Sequence, residues 1–319
     1  MKVALLTSGG DAPGMNAAVR AVVRGCLAKG MNVYGVYQGY DGLIHENIEH
    51  FNANSVADII HRGGTMLRTA RSDEFVTREG REKAYETLRK LNIDALVVIG
   101  GDGTMRGALD VANESGIKVY AIPGTIDNDL GYTDNTIGFD TACNTALNAI
   151  GNIRDTSSAM GRTTIIEVMG RHCGDIALYA GLAGGAENIL IPEEEYDLDK
   201  IAEAILKGVK RGKLHSIIVK AEGVKQSTDE IAKILEEKTG FETKTVNLGY
   251  VQRGGYPTAR DRVLASRLGY RAAELCEAKA DSVAIGIHGE TIVEYPIGEA
   301  LKMKKDLYKD FTKICNALL

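Results

Sequence analysis

The chain has 319 residues, of which 44% are hydrophobic and 25% charged, and its net charge is −5. That length exceeds what one core usually serves, so two lobes of an ordinary globular protein are expected, not a disordered or fibrous chain. The negative balance excludes a general attraction to nucleic acid or anionic membrane, and no apolar run is long enough to span a bilayer.

Residues Met1–Leu6 are apolar apart from Lys2, but Thr7-Ser8-Gly9-Gly10-Asp11 follows at once, which suits a first strand better than a signal peptide. Short β-branched runs predict strands at Val3–Thr7, Asn32–Val36, Ala95–Ile99, Val119–Ile122, Thr163–Val168, Ile189–Ile191, Ser216–Lys220, Val246–Gly249 and Ser282–Ile287. Apolar residues at three- and four-residue spacing predict helices near 14–29, 54–62, 79–91, 103–115, 139–157, 173–184, 198–211, 227–239, 259–278 and 306–317. Strands alternating with helices give an α/β fold: mostly parallel sheets with helices on both faces. No linker marks a boundary, and the thinning of motifs places one near residue 138. Cys26, Cys143, Cys173, Cys276 and Cys315 are odd in number and show no zinc spacing, so reduced thiols are expected, without disulfide or structural metal.

Ligands of open α/β sheets bind beyond the carboxyl ends of the strands, and many of the 37 glycines lie there. After the first strand, Ser8-Gly9-Gly10-Asp11-Ala12-Pro13-Gly14-Met15-Asn16 leads into a helix, an arrangement that brings backbone N–H groups against an anion. A second turn, Gly100-Gly101-Asp102-Gly103-Thr104, repeats the pattern, and two such turns suggest one polyphosphate. Asp102 is either a ligand of a bridging Mg²⁺ or a helix cap. The third strand end is Pro123-Gly124-Thr125-Ile126-Asp127-Asn128-Asp129. Asp127 and Asp129 are each candidates for the base that phosphoryl transfer to an alcohol requires, although an Asx-turn series would use the same residues.

Arg71 and Arg171 could stabilise a transferring phosphoryl group, and Arg162 and Arg253 could hold a second phosphate through the guanidinium fork. Glu222 follows a strand, where it could accept hydrogen bonds from sugar hydroxyls or cap a helix. Arg20 and Arg24, spaced i,i+4, with Arg154, Arg211 and Lys213, form a second cationic group, and Glu187 after Gly184-Gly185 could hold a cation beside its ligand. Scattered solvated charges would give the same spacing.

Together these stretches, with Glu167-Val168-Met169-Gly170-Arg171 and Val251-Gln252-Arg253-Gly254-Gly255, resemble bacterial ATP-dependent 6-phosphofructokinases over essentially the whole chain. The resemblance implies two Rossmann-like lobes: a nucleotide lobe of 1–138 plus 251–301 and a sugar-phosphate lobe of 139–250 plus 302–319. It implies transfer of the ATP γ-phosphoryl group to the 1-hydroxyl of fructose 6-phosphate, a step of glycolysis, with Mg²⁺. Asp127 would be the base, Asp102 the metal site, and Thr125 and Arg171 the contacts to the transferring group. Gly9, Arg71, Gly101, Asp102, Gly103 and Thr104 would bind ATP. Thr125, Asp127, Asp129, Arg162, Met169, Gly170, Arg171, Glu222, Lys244, Tyr250 and Arg253 would bind the sugar phosphate, Arg162 and Lys244 from a neighbouring subunit of a homotetramer. Arg20, Arg24, Arg154, Gly185, Glu187, Arg211 and Lys213 would form an allosteric site for ADP and phosphoenolpyruvate, and the enzyme would be cytoplasmic.

The chain departs from the pattern at Lys244, usually arginine, and at Tyr250, usually histidine, which predicts altered acceptor affinity with the chemistry retained. Leu214 replaces a usual lysine at the effector site. A pyrophosphate-dependent enzyme is the nearest rival, but that group carries Asp and Lys where Gly103 and Gly124 stand. A non-catalytic sensor would have no use for Asp102, Asp127, Arg71 and Arg171. An NAD-dependent oxidoreductase would need a Gly-x-Gly-x-x-Gly fingerprint that is missing after the first strand.

Overall fold

The computed structural model describes residues 1–305 and 309–318, and the side chain of Cys315 is outside the described part. The chain forms two compact units. The first comprises Met1–Ile126, Leu130–Thr141 and Arg253–Lys305; the second comprises Asp127–Asp129, Ala142–Gln252 and the described residues of the C-terminal stretch.

In chain order the first unit contains β1 (Lys2–Thr7), α1 (Met15–Ala28), β2 (Asn32–Val36), α2 (Gly39–Ile44), β3 (Ile48–Phe51), α3 (Asp73–Val76), α4 (Arg78–Lys90), β4 (Ala95–Gly100), α5 (Asp102–Glu114) and β5 (Lys118–Pro123). Helix α6 (Phe139–Met160) begins there and continues into the second unit. That unit adds β6 (Thr163–Val168), α7 (Asp175–Ala183), β7 (Asn188–Leu190), α8 (Leu198–Lys210), β8 (Ser216–Ala221), α9 (Thr228–Thr239) and β9 (Thr243–Asn247). The chain returns to the first unit for α10 (Ala259–Ala278), β10 (Val283–His288), β11 (Thr291–Pro296) and α11 (Ile297–Ala300), and α12 (Lys309–Leu318) follows.

The first sheet has the order β11-β10-β5-β4-β1-β2-β3, parallel except for its two edge strands. Its central strands are apolar along their middles: Val3–Leu6 and Ala95–Ile99 are wholly buried, as strands covered on both faces must be. The second sheet, β7-β8-β6-β9, is parallel throughout. Ile165 and Ile218 of this sheet pack with Ile201, Ile205, Ile231 and Leu235 of α8 and α9. The fold is α/β, as expected.

Three local expectations are corrected. Residues 54–62 form turns instead of a helix, because Asn52 Oδ1 accepts from the N–H of Asn54 at 2.8 Å and of Ser55 at 3.3 Å, and Asp58 adopts a left-handed φ of 56°. The strand expected at Val246–Gly249 runs earlier, at Thr243–Asn247, and Gly249–Arg253 is a short 3₁₀ turn. Strands β3 and β11 and the short helices α2, α3 and α11 were not anticipated. The start of the helix expected at 306–317 lies outside the described residues.

Candidate active site

In the first unit, the turns after β1 and β4 meet. Ser8 N–H donates to Ile99 O at 3.0 Å, which holds the two strand ends side by side. Gly9 has φ +83°, a conformation that favours glycine, and a Cβ placed there would be 3.3 Å from Thr104 Oγ1. At Gly100 a Cβ would overlap Thr104 Oγ1 and the Ser8 carbonyl oxygen, so this position has no room for a side chain. Thr104 is buried in the first turn of α5, and its Oγ1 makes no hydrogen bond. A buried hydroxyl without a partner, ringed by glycines at a helix N-terminus, is suited to an incoming acceptor such as a phosphate oxygen.

Asp102 proves not to cap α5. Gly101 holds the N-cap position without a side-chain bond, and Asp102, the first helical residue, receives Arg106 through Nε at 2.8 Å and a second guanidinium nitrogen at 3.2 Å. Its half-exposed carboxylate therefore stands at the mouth of the cradle. Gly103 faces open space, whereas a Cβ at Gly124 would press on Ile99 Cγ2 at 2.9 Å and Met15 Cε at 3.1 Å. Thr125 lies beside Gly101, whose hypothetical Cβ would be 3.4 Å from Thr125 Cβ. Thr136 Oγ1 donates to the Thr125 carbonyl at 2.6 Å. A Cβ placed at Gly10 would lie 3.7 Å from the carbon of the Arg253 guanidinium, so this arginine, expected at the sugar phosphate, sits beside the turn after β1 within the first unit. Arg71 is exposed just before Ser72, which caps α3.

Sequence reasoning gave no role to Asn16, which is buried and acts as a clamp. Its amide donates to Arg62 O at 3.1 Å and Gly63 O at 3.2 Å, and its oxygen accepts from Met66 N–H at 2.7 Å. The segment leading to Arg71 is thereby pinned to α1. The signal was an amide on the otherwise apolar face of a helix.

In the second unit, Asp127 is 6% exposed, with Arg171 Nε 4.0 Å from its Oδ2. Between Asp127 and Asp129, Asn128 is fully buried in a left-handed conformation, φ 53°, and donates its amide to Asp175 Oδ2 at 2.8 Å. Asp175 starts α7 and is itself buried, so this bond fixes the turn that aims the two flanking carboxylates. Arg171 also has a positive φ, 54°, after Gly170 at 138°. Glu222 Oε1 secures that bend by accepting from the N–H groups of Gly170 at 3.2 Å and Arg171 at 2.8 Å. Gln252, a second residue without an expected role, accepts from Met169 N–H at 3.2 Å and donates to Gly249 O at 3.1 Å. Thus Met169, Gly170, Arg171 and Glu222 are assembled by one network, while Tyr250 stands 78% exposed.

Arg162 and Lys244 meet at Glu242: the lysine ammonium is 2.6 Å from one carboxylate oxygen and the arginine 3.9 Å from the other. The lysine bond holds the Glu242 carboxyl below the usual range. Elsewhere in the unit, Arg154 donates to the carbonyls of Gly184 at 2.6 Å and Gly185 at 2.8 Å, and Lys213 pairs with Glu187. The expected effector residues Arg154, Gly185, Glu187 and Lys213 are thereby brought together, with His215 Nε2 3.4 Å from Arg154. Burial pushes the His215 pKa below its usual value. Arg211 follows α8, and Arg20 and Arg24 lie on α1 of the first unit.

The phosphofructokinase family model matches residues 2–276. The chain belongs to that family. It is 57% identical over 316 residues to the ATP-dependent 6-phosphofructokinase of Alkaliphilus metalliredigens, covering 99% of this chain and 98% of the relative. The enzyme of the same name from Clostridium tetani is 55% identical over 317 residues, 99% of each chain. Among solved structures, phosphofructokinase from Saccharomyces cerevisiae superposes with a TM-score of 0.89 at 37% identity over 94% of this chain. This chain spans only 45% of that larger one. Among the described residues no helix is long and apolar enough to cross a membrane.

Proposed function

We propose that the protein is an ATP-dependent 6-phosphofructokinase that transfers the γ-phosphoryl group of ATP to the 1-hydroxyl of fructose 6-phosphate. The observation that carries this reading is the buried Asp127 carboxylate held beside Arg171, two residues along the chain from Thr125. A carboxylate in hydrogen-bond reach of the sugar hydroxyl takes its proton as the oxygen attacks, and the Arg171 guanidinium offsets negative charge on the moving group. The glycines at 9, 100, 101 and 103, with Thr104, supply the donor-phosphate cradle of a nucleotide lobe, and Arg71 adds positive charge. Met169, Gly170, Glu222, Lys244, Tyr250, Arg253 and Arg162 form the acceptor set, with Asp129 beside the base. The open space at Gly103 favours a nucleotide over pyrophosphate as donor.

Mg²⁺ fits the residues present. Among the described residues no group of three or more His, Cys, Asp or Glu is placed to hold a metal, and Mg²⁺ commonly takes one or two carboxylates plus substrate phosphates. Asp102 would be that carboxylate, and the ion would neutralise charge on the phosphate oxygens. The meeting of Arg162 and Lys244 at one carboxylate supports a shared role in binding a sugar phosphate across a homotetramer interface. The convergence of Arg154, Glu187 and Lys213 supports an effector site for ADP and phosphoenolpyruvate, with Arg20, Arg24 and Arg211 as further members. We place the enzyme in the cytoplasm.

Purified protein with fructose 6-phosphate and Mg²⁺ is expected to turn over with ATP and not with pyrophosphate. Asp127→Ser should lower kcat by about 100- to 10,000-fold. Turnover with pyrophosphate alone, or a near-normal kcat in the variant, would refute the donor or the base respectively. Sugar saturation curves unmoved by ADP and phosphoenolpyruvate would sink the effector assignment.

A further inference from the structure

Lys220 is 1% exposed, on the central strand β8, where every residue is buried. A buried ammonium costs several kcal/mol unless paired, so its surroundings carry information. In register, Glu167 of β6 stands opposite both Lys220 of β8 and Asn247 of β9, so the three form one rung across three adjacent strands. Lys220 Nζ donates to Glu167 Oε2 at 2.9 Å and Asn247 Nδ2 donates to Oε1 at 2.6 Å. Thr228, the first residue of α9, donates its hydroxyl to the same Oε2. Glu167 therefore ties two strands and a helix to its own strand with one carboxylate.

The place of this rung matters more than its stability. One residue beyond Glu167, Val168 O accepts the N–H of Glu222, and the Glu167 carbonyl accepts Leu248 N–H at 3.0 Å. Met169, Gly170 and Arg171 follow β6, Glu222 follows β8, and Tyr250 follows β9. The three strand ends clamped by the rung are thus those that carry the acceptor residues. An apolar row would pack there at least as well, but dispersion contacts do not fix the relative positions of strands as directed charged hydrogen bonds do.

We infer that Glu167 is a positioning residue for the sugar phosphate, and that the Lys220–Glu167–Asn247 rung sets acceptor affinity by fixing the spacing of three strand ends. The inference rests on the function proposed above and deepens it. Its signature is a separation of stability from affinity. In Glu167→Leu/Lys220→Met the buried ammonium and its partly buried carboxylate are both replaced by apolar groups of similar size. The urea midpoint of this double variant is expected to equal or exceed that of the wild type, while its KM for fructose 6-phosphate rises about tenfold. KM for ATP and kcat should stay within about twofold.

A folded double variant with an acceptor KM within about twofold of wild type would overturn the inference. If the double variant fails to fold, Asn247→Ala, which removes one arm and leaves the ion pair, gives the reading: an acceptor KM raised about threefold supports the role and an unchanged one refutes it. Wild-type turnover is measured alongside. Its absence defeats the proposed function and the inference together, whereas turnover with an unmoved KM defeats the inference alone.

Discussion

Asp261 offers a test in which two physical effects of opposite sign compete on one carboxyl group. It lies in the first turn of α10, 1% exposed. Its Oδ1 accepts Gly138 N–H at 2.9 Å, and its Oδ2 accepts Thr141 N–H at 2.8 Å and the Thr141 hydroxyl at 2.5 Å. Burial pushes the group up from its ordinary 3.8 to about 6, the three donors pull it down, and the nearby Asp140 charge adds to the rise. At about 1.4 kcal/mol per pKa unit, a rise of about two units amounts to about 3 kcal/mol. The folded pKa lies above the unfolded one, so the folded state holds the extra proton between them. The associated stability is complete below about pH 4 and is lost as pH rises through about 6.

Asp261→Asn removes the titration while keeping the shape. Its amide satisfies the Thr141 pair but turns an NH₂ toward Gly138 N–H, a pH-independent loss of about 1–3 kcal/mol. Urea unfolding at pH 4 and pH 7.5 should therefore show the variant gaining on wild type by up to about 3 kcal/mol as pH rises. Carbon-13 titration of the wild-type carboxyl should give a midpoint near 6. If wild type gains on the variant instead, the three donors outweigh burial, and the reasoning fails.

Gly100→Ala should cost about 1–3 kcal/mol, because its Cβ meets the Ser8 backbone, which cannot swing aside. The ATP KM should rise with it, read from urea midpoints and saturation curves, and an unaltered midpoint would count against the packing of the two turns. Gly103→Asp, facing open space, should leave the thermal midpoint almost unchanged yet weaken ATP binding by placing a second carboxylate beside the phosphates. Gly124→Lys, pressed on Ile99 and Met15, should instead lose about 1–3 kcal/mol before any effect on donor choice appears.

The strands whose bounds were read most closely from sequence, such as β1, β4 and β8, are buried on both faces, because a continuous apolar run needs no partner to be recognised. Strands β3 and β11 escaped notice as antiparallel edges: Glu49 and His50 in the first, and Glu294 in the second, dilute the run. Val56 and Ile59 imitated a helical stripe, but side-chain oxygens at Asn52 and Ser55 captured the backbone into turns. At the site, the glycine turns were legible because a missing side chain is itself a signal. The meeting of Arg162 with Lys244 at Glu242 was not, since it depends on the register of β6 against β9 across some 80 residues. Nor could spacing show that Arg253 lies against Gly10, or that Asn16 and Gln252 each hold two stretches of chain.

The edges of the sheets also bear on how the protein behaves in concentrated solution. Glu290 and Glu294 at β11 are drawn to Arg267 and Arg271 of α10, and β3 has only four residues, two of them polar. In the second sheet, β7 is three residues long and β9 carries the Lys244 charge. A foreign strand seeking to extend either sheet meets short edges or committed charges. Resistance to amyloid-like aggregation is thus distributed over the margins of both sheets, and variants that neutralise Glu294 or Lys244 expose the sides on which aggregation would begin.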